Sequence, residues 1–193
     1  MKTKLLILLL VFATSFAFSQ SFVETKKRAE QGDADAQFNL GWMYLNGEGI
    51  TKDLKQAFYW FKKSAEQGGA TAQFNLGLMY DNGEGTLKDP KQAFYWYKKS
   101  AEQGNAGAQL NLGWMYDNGE GTLKDPKQAF YWYKKSAEQG HATAQFNLGT
   151  MYIHGEGTPK DLKQAAFWIK KSYENGHEKA KEIWEEYELY NYQ

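Results

Sequence analysis

Aspartates recur every 36 residues, at Asp53, Asp89, Asp125 and Asp161. Carboxylates in such a register invite a reading as general acids or bases. Each one stands directly before a stretch of helical periodicity, and Pro90 and Pro126 follow two of them. A carboxylate there satisfies the first free amides of a helix, and proline suits the next position, so capping accounts for the whole column. The segment DNGEGTLKD (81–89) has the acids and glycines of a calcium loop but lacks the alternating ligands and terminal glutamate of an EF-hand. The Gly-Glu-Gly turns, Gly47 to Gly49 and its copies, lead into no Lys-Ser/Thr pair at a helix start, so they form no phosphate loop. His141, His154 and His177 lie in different columns and offer zinc no convergent set. Ser64, Ser100, Ser136 and Ser172 have no histidine or acidic base in their own copy, and read as small packing residues. The lysine pairs Lys62-Lys63, Lys98-Lys99, Lys134-Lys135 and Lys170-Lys171 run beside Glu66, Glu102 and Glu138 and read as a solvated face. No catalytic, metal or cofactor site assembles from these residues, and the chain does not read as an enzyme.

The chain opens MKTKLLILLLVFATSFAFSQ. A basic start (Lys2, Lys4), an apolar run from Leu5 to Phe12 and a small-x-small site at Ala17-Phe18-Ser19 read as an export signal over 1–19, cut after Ser19. The apolar run is too short to span a bilayer, which needs about 20 residues. The expected mature chain, 20–193, is therefore periplasmic or extracellular, with no membrane span. With 23 basic and 23 acidic side chains the net charge is zero, which argues against nucleic-acid binding. There is no cysteine, hence no disulfide framework.

What positions these residues is a repeat. Gly41, Gly77, Gly113 and Gly149 form one column at a period of 36, and Tyr44, Tyr80, Tyr116 and Tyr152 another. Full copies run 33–68, 69–104, 105–140 and 141–176. In the second copy, helix A is expected over Ala70 to Asn82, stopped by Gly83. Helix B is expected from Asp89 as cap to Gly104, with Ala93, Trp96 and Ala101 on its apolar face. Two such helices cannot bury their apolar faces alone, so copies must stack. The expected fold is an all-α αα-solenoid of four helix-pair repeats with a half-repeat helix at each end. The N-terminal helix (21–32) matches helix B, with Glu24 and Thr25 in place of Trp60 and Phe61. The C-terminal one (177–193) matches helix A, with Glu182 and Glu185 in place of Phe146 and Gly149. Polar ends of this kind suit a soluble, open-ended stack, and the chain reads as a monomer.

The pattern Ala36-xxx-Leu40-Gly41-xx-Tyr44-xx-Gly47-x-Gly49-xxx-Asp53-xxx-Ala57-xx-Trp60, closed by Ala65 and Gly68, resembles the Sel-1-like repeat, a cousin of the tetratricopeptide repeat. In the fourth copy Ala166 and Ile169 depart from the columns of Phe58 and Phe61, while the signature positions persist. The resemblance implies a right-handed superhelix of antiparallel helix pairs, with helix A on the concave side. It further implies an adaptor or scaffold that binds proteins or peptides. Cysteine-rich bacterial relatives linked to β-lactam binding would imply a weak hydrolase, but this chain lacks their cysteines.

On that carry-over the concave stripe comprises Phe38, Asn39 and Trp42; Phe74, Asn75 and Leu78; Leu110, Asn111 and Trp114; and Phe146, Asn147 and Thr150. Copies two and three differ at Gly69/Asn105, Thr71/Gly107, Phe74/Leu110 and Leu78/Trp114, and the last three lie on the stripe. A solvent face would drift to polar residues, whereas a sealed core would resist exchanging leucine for tryptophan, because overpacking costs about 1–3 kcal/mol. A partly exposed apolar groove rimmed by asparagine amides meets both conditions. The expected partner is a protein or extended peptide. Aromatic residues flanked by Asn and Asp also suit a glycan or cell-wall fragment.

Overall fold

The computed structural model describes residues 20–192, so the export signal read over 1–19 lies outside the described residues. The fold is an all-α solenoid of helix-pair repeats, without strands among the described residues. The chain divides into two compact units at Lys88/Asp89, and the division passes through the second copy. The N-terminal unit holds α1 (20–30), α2 (Ala34–Asn46), α3 (Leu54–Glu66) and α4 (Ala70–Asn82). The C-terminal unit holds α5 (Pro90–Glu102), α6 (Ala106–Asn118), α7 (Pro126–Glu138), α8 (Ala142–His154), α9 (Leu162–Glu174) and α10 (Lys179–Glu186), then a 3-10 turn (Leu189–Tyr192). Even-numbered helices from α2 are A helices and odd-numbered ones B helices.

The local signals act as the residues dictate. The Asp53, Asp89, Asp125 and Asp161 carboxylates each accept from the second and third amides of the following helix. Gly47, Gly83, Gly119 and Gly155 end the A helices in left-handed geometry. The column of Gly41, Gly113 and Gly149 serves packing. A Cβ there would come within 2.6–2.7 Å of Phe61, Tyr133 and Ile169 in the partner B helix, so glycine lets the two helices close on a large side chain. These side chains, and the Trp60, Trp96, Trp132 and Trp168 column, are buried.

Contacts between copies are also repetitive. The Phe58 ring meets Tyr80 edge-on at 5.2 Å, and Phe94–Tyr116 and Phe130–Tyr152 follow the same geometry at 5.2 and 5.3 Å. Polar bonds run alongside. Gln37, Gln73, Gln109 and Gln145 are buried and donate to the carbonyls of Ala29, Ala65, Ala101 and Ala137, each at 3.1 Å. Within a copy, Gln67 and Gln139 donate in turn to Gln37 and Gln109 at 2.7 Å. Ser136 and Ser172 do more than save space, since they donate at 2.8 Å to the Ala106 and Ala142 carbonyls. Gln109→Ala strips two such bonds at once, the one it donates to the Ala101 carbonyl and the one it accepts from Gln139. A loss of about 1–3 kcal/mol is expected in urea denaturation.

Both end helices differ from their expected lengths. The N-terminal helix covers 20–30 rather than 21–32, because the chain turns at Gly32, whose φ is 95°. The C-terminal segment is not one helix over 177–193. Its α10 stops at Glu186, Glu188 takes a positive φ of 47°, and the 3-10 turn buries Leu189 against Ile153, Ala165, Ala166 and Ile169. Ala166 stands where Phe58 stands in the first copy, and Glu188 falls in the Tyr80 column, so the ring pair that joins earlier copies cannot form at this end.

Candidate functional site

In the N-terminal unit, α2 and α4 carry the first six stripe residues. Phe38 and Trp42 lie one helical turn apart with rings 6.3 Å apart, edge to face. Both also rest on the buried Phe61, at 5.7 and 6.0 Å, so each is half-buried. Asn39 is exposed. Phe74 and Leu78 are half-buried on α4. Asn75 is buried, and its amide donates to the Thr71 carbonyl of its own helix at 2.8 Å.

In the C-terminal unit, α6 and α8 carry the rest. Leu110 packs against the cluster of Tyr133, Leu148 and Trp168. Trp114 is 42% exposed, whereas the Trp60-column tryptophans are at most 9% exposed. Asn118 donates to the Trp114 carbonyl at 2.9 Å. Asn111 and Asn147 are half-buried, and Asn147 hydrogen-bonds the buried Tyr133 hydroxyl. Thr150 Oγ1 donates to the Asn147 carbonyl at 2.8 Å. Phe146 lies flat on His177, with ring centres 4.4 Å apart.

The three stripe differences between copies two and three thus change how much apolar surface an A helix presents. The fourth is of another kind: Asn105 caps α6 by accepting from the Ala108 amide at 2.9 Å, while Gly69 gives α4 no side-chain cap.

Electrostatically the stripe is quiet. Near Trp114, burial raises the Asp117 carboxyl above its usual range, Lys124 opposes this, and Glu156 adds to it. Burial and Lys179 lower the His177 imidazole. Among the described residues no group of three or more His, Asp or Glu could hold a metal ion. On the B helices, Lys63, Lys99, Lys135 and Lys171 sit 4.6–5.8 Å above the rings of Tyr59, Tyr95, Tyr131 and Phe167. The basic row is therefore spread over aromatic faces as well as lying near the glutamates.

The sequence reading missed the buried glutamines and the role of serine as a donor between the two helices of a copy. Their recurrence at a fixed place in the copies was the available signal, and a polar residue that never changes inside an amphipathic helix is a candidate for a buried bond.

The family model for the Sel1 repeat matches residues 34–69, 70–105, 106–141 and 142–177. A protective antigen of uropathogenic Escherichia coli strains displaying an SLR fold is similar at 43% identity and a TM-score of 0.77, over 80% of this chain and 33% of that one. A Sel1 repeat protein from Oxalobacter formigenes is 40% identical with a TM-score of 0.77, over 82% of this chain and 65% of that one. Helicobacter pylori cysteine rich protein B is 26% identical with a TM-score of 0.55, over 68% and 95%. This chain thus spans a third of the first relative and just under two thirds of the second. No curated protein matches it.

Proposed function

Because this chain belongs to the Sel1 repeat family, whose members are generally non-enzymatic protein–protein interaction scaffolds, we propose that it is an exported scaffold that binds a protein or extended peptide along its A helices. The observation that carries this reading is Trp114. A large apolar ring stands 42% exposed on a helix whose other apolar residues are buried or half-buried. The same column holds Trp42 in the first copy, half-buried on Phe61, so a tryptophan at this place in the repeat is not exposed in every copy. Exposed aromatic anchors flanked by half-buried apolar residues are the usual centre of a binding patch.

The polar side of the patch follows from the bonds already made. Asn39 and Asn111 are the stripe amides offered to a peptide backbone, since Asn75 and Asn147 are engaged within the fold. Export rests on the basic start, short apolar run and small-x-small site of 1–19.

The test compares wild type with Trp114→Ala in affinity capture from the native envelope or medium. The expected result is a specific protein retained by wild type and bound about 1–3 kcal/mol more weakly by the variant. Stability should change by less than about 1 kcal/mol, as for a residue largely outside the core. Equal capture by both proteins would sink the assignment. A glycan array that binds wild type and not the variant would redirect it to a saccharide. Amino-terminal sequencing of the exported protein should begin at Gln20, and a start at Met1 would remove the export claim.

A further inference from the structure

We propose that the C-terminal face, formed by α9, α10 and the 3-10 turn, is where two copies of this chain meet end to end. Two clefts lie along it and share Lys170. One of about 350 Å³ is lined by Lys170, Tyr173, Glu174, Lys181, Trp184 and Glu185, and one of about 430 Å³ reaches Phe167 and Tyr192. Tyr173 is the telling residue. It occupies the column of Ala65, Ala101 and Ala137, which are buried to within 2% of complete, yet it stands 51% exposed. In the N-terminal unit the corresponding place is closed over by the next A helix, whose Gln73 bonds the Ala65 carbonyl. At α9 the place of that glutamine is taken by Lys181 on α10, and Tyr173 stands in a cleft beside Lys181, Trp184 and Glu185.

The chemistry of the first cleft favours a second copy over a partner of one dominant charge. Its wall carries two lysines and two glutamates around Tyr173 and Trp184. A two-fold contact brings the same patch to both sides, so a wall with both signs can oppose lysine to glutamate across the axis, with the aromatic rings at the centre. Lys181 and Glu185 lie 4.0 Å apart and are both well exposed, so they can turn to a partner copy at little cost. Reading Glu182 and Glu185 alone makes this end look wholly polar and predicts a monomer. The aromatic residues beside them change that expectation.

Sedimentation equilibrium of the purified protein from about 1 µM to about 1 mM, the window in which weak association shows, tests this. The expected result is a mass rising from one chain to two and stopping there. Trp184→Ala should weaken association at least about tenfold, as loss of a central aromatic does. Because Trp184 also packs beside the Leu189 cluster, Glu174→Lys serves as a second variant on an exposed site. It should weaken the dimer while leaving the melting curve unchanged. Weakening by either variant, with helicity retained, supports the assignment. A single-chain mass at every concentration overturns it, as does a dimer that neither variant touches.

Discussion

Trp168→Ala is expected to lower stability by about 3–5 kcal/mol, the cost of truncating a fully enclosed aromatic. Trp168 is 8% exposed and packs with Ala129, Tyr133, Ala137, Leu148 and Met151, drawn from the B helix before it and the A helix it pairs with. Removing the indole therefore opens a cavity where two copies meet. Stability in a repeat array is carried by such nearest-neighbour contacts, so the loss should appear as early melting. Trp114→Ala is the control, because it deletes the same side chain from a 42% exposed site and should cost less than about 1 kcal/mol. Trp42→Ala should fall between them, since its ring also rests on Phe61. Should Trp114→Ala melt as early as Trp168→Ala, the stripe belongs to the core and the binding assignment loses its support.

Gly121→Ala is expected to cost about 2–5 kcal/mol, the sum of left-handed backbone strain and overpacking. Gly121 has a φ of 70°, and a Cβ there would overlap the Pro90 carbonyl oxygen at the start of α5. That oxygen belongs to the backbone of the preceding copy, so no rotamer change relieves the clash. Gly140 separates the two causes. Its φ is 91°, but a Cβ would meet nothing within 4 Å, so Gly140→Ala should cost only the backbone strain, about 1–2 kcal/mol. Chemical denaturation of the two variants gives the difference. Equal losses would show that Gly121 is required only for its dihedral angles and not for the approach of neighbouring copies.

The period of 36 residues, the helix-pair unit and the helix ends were all legible in the sequence, because each rests on a local signal repeated in several copies. Asp89 before Pro90 can only start a helix well, and Gly83 is the residue that best ends one; α4 and α5 begin and end accordingly. The buried Trp60 column was equally legible, because a residue that stays tryptophan while its neighbours change is held by packing. The stripe was legible as a set of positions and not as a set of environments. Trp42 and Trp114 share a column and a residue type, yet Trp42 is half-buried between Phe38 and Phe61, whereas Trp114 stands exposed on a helix where leucine replaces the phenylalanine. The asparagines divide likewise: Asn147 finds the hydroxyl of Tyr133, Asn75 lies opposite a column that holds Phe61 and turns back to Thr71, and Asn39 has an open side. Exposure is decided by what stands opposite on another helix. A column of a repeat records what a residue is in every copy, but the side chains facing it come from other columns and differ from copy to copy. For that reason the scaffold could be read from the chain itself, while the exposure of Trp114, and of Tyr173 in a column that is otherwise buried, came only from the tertiary structure.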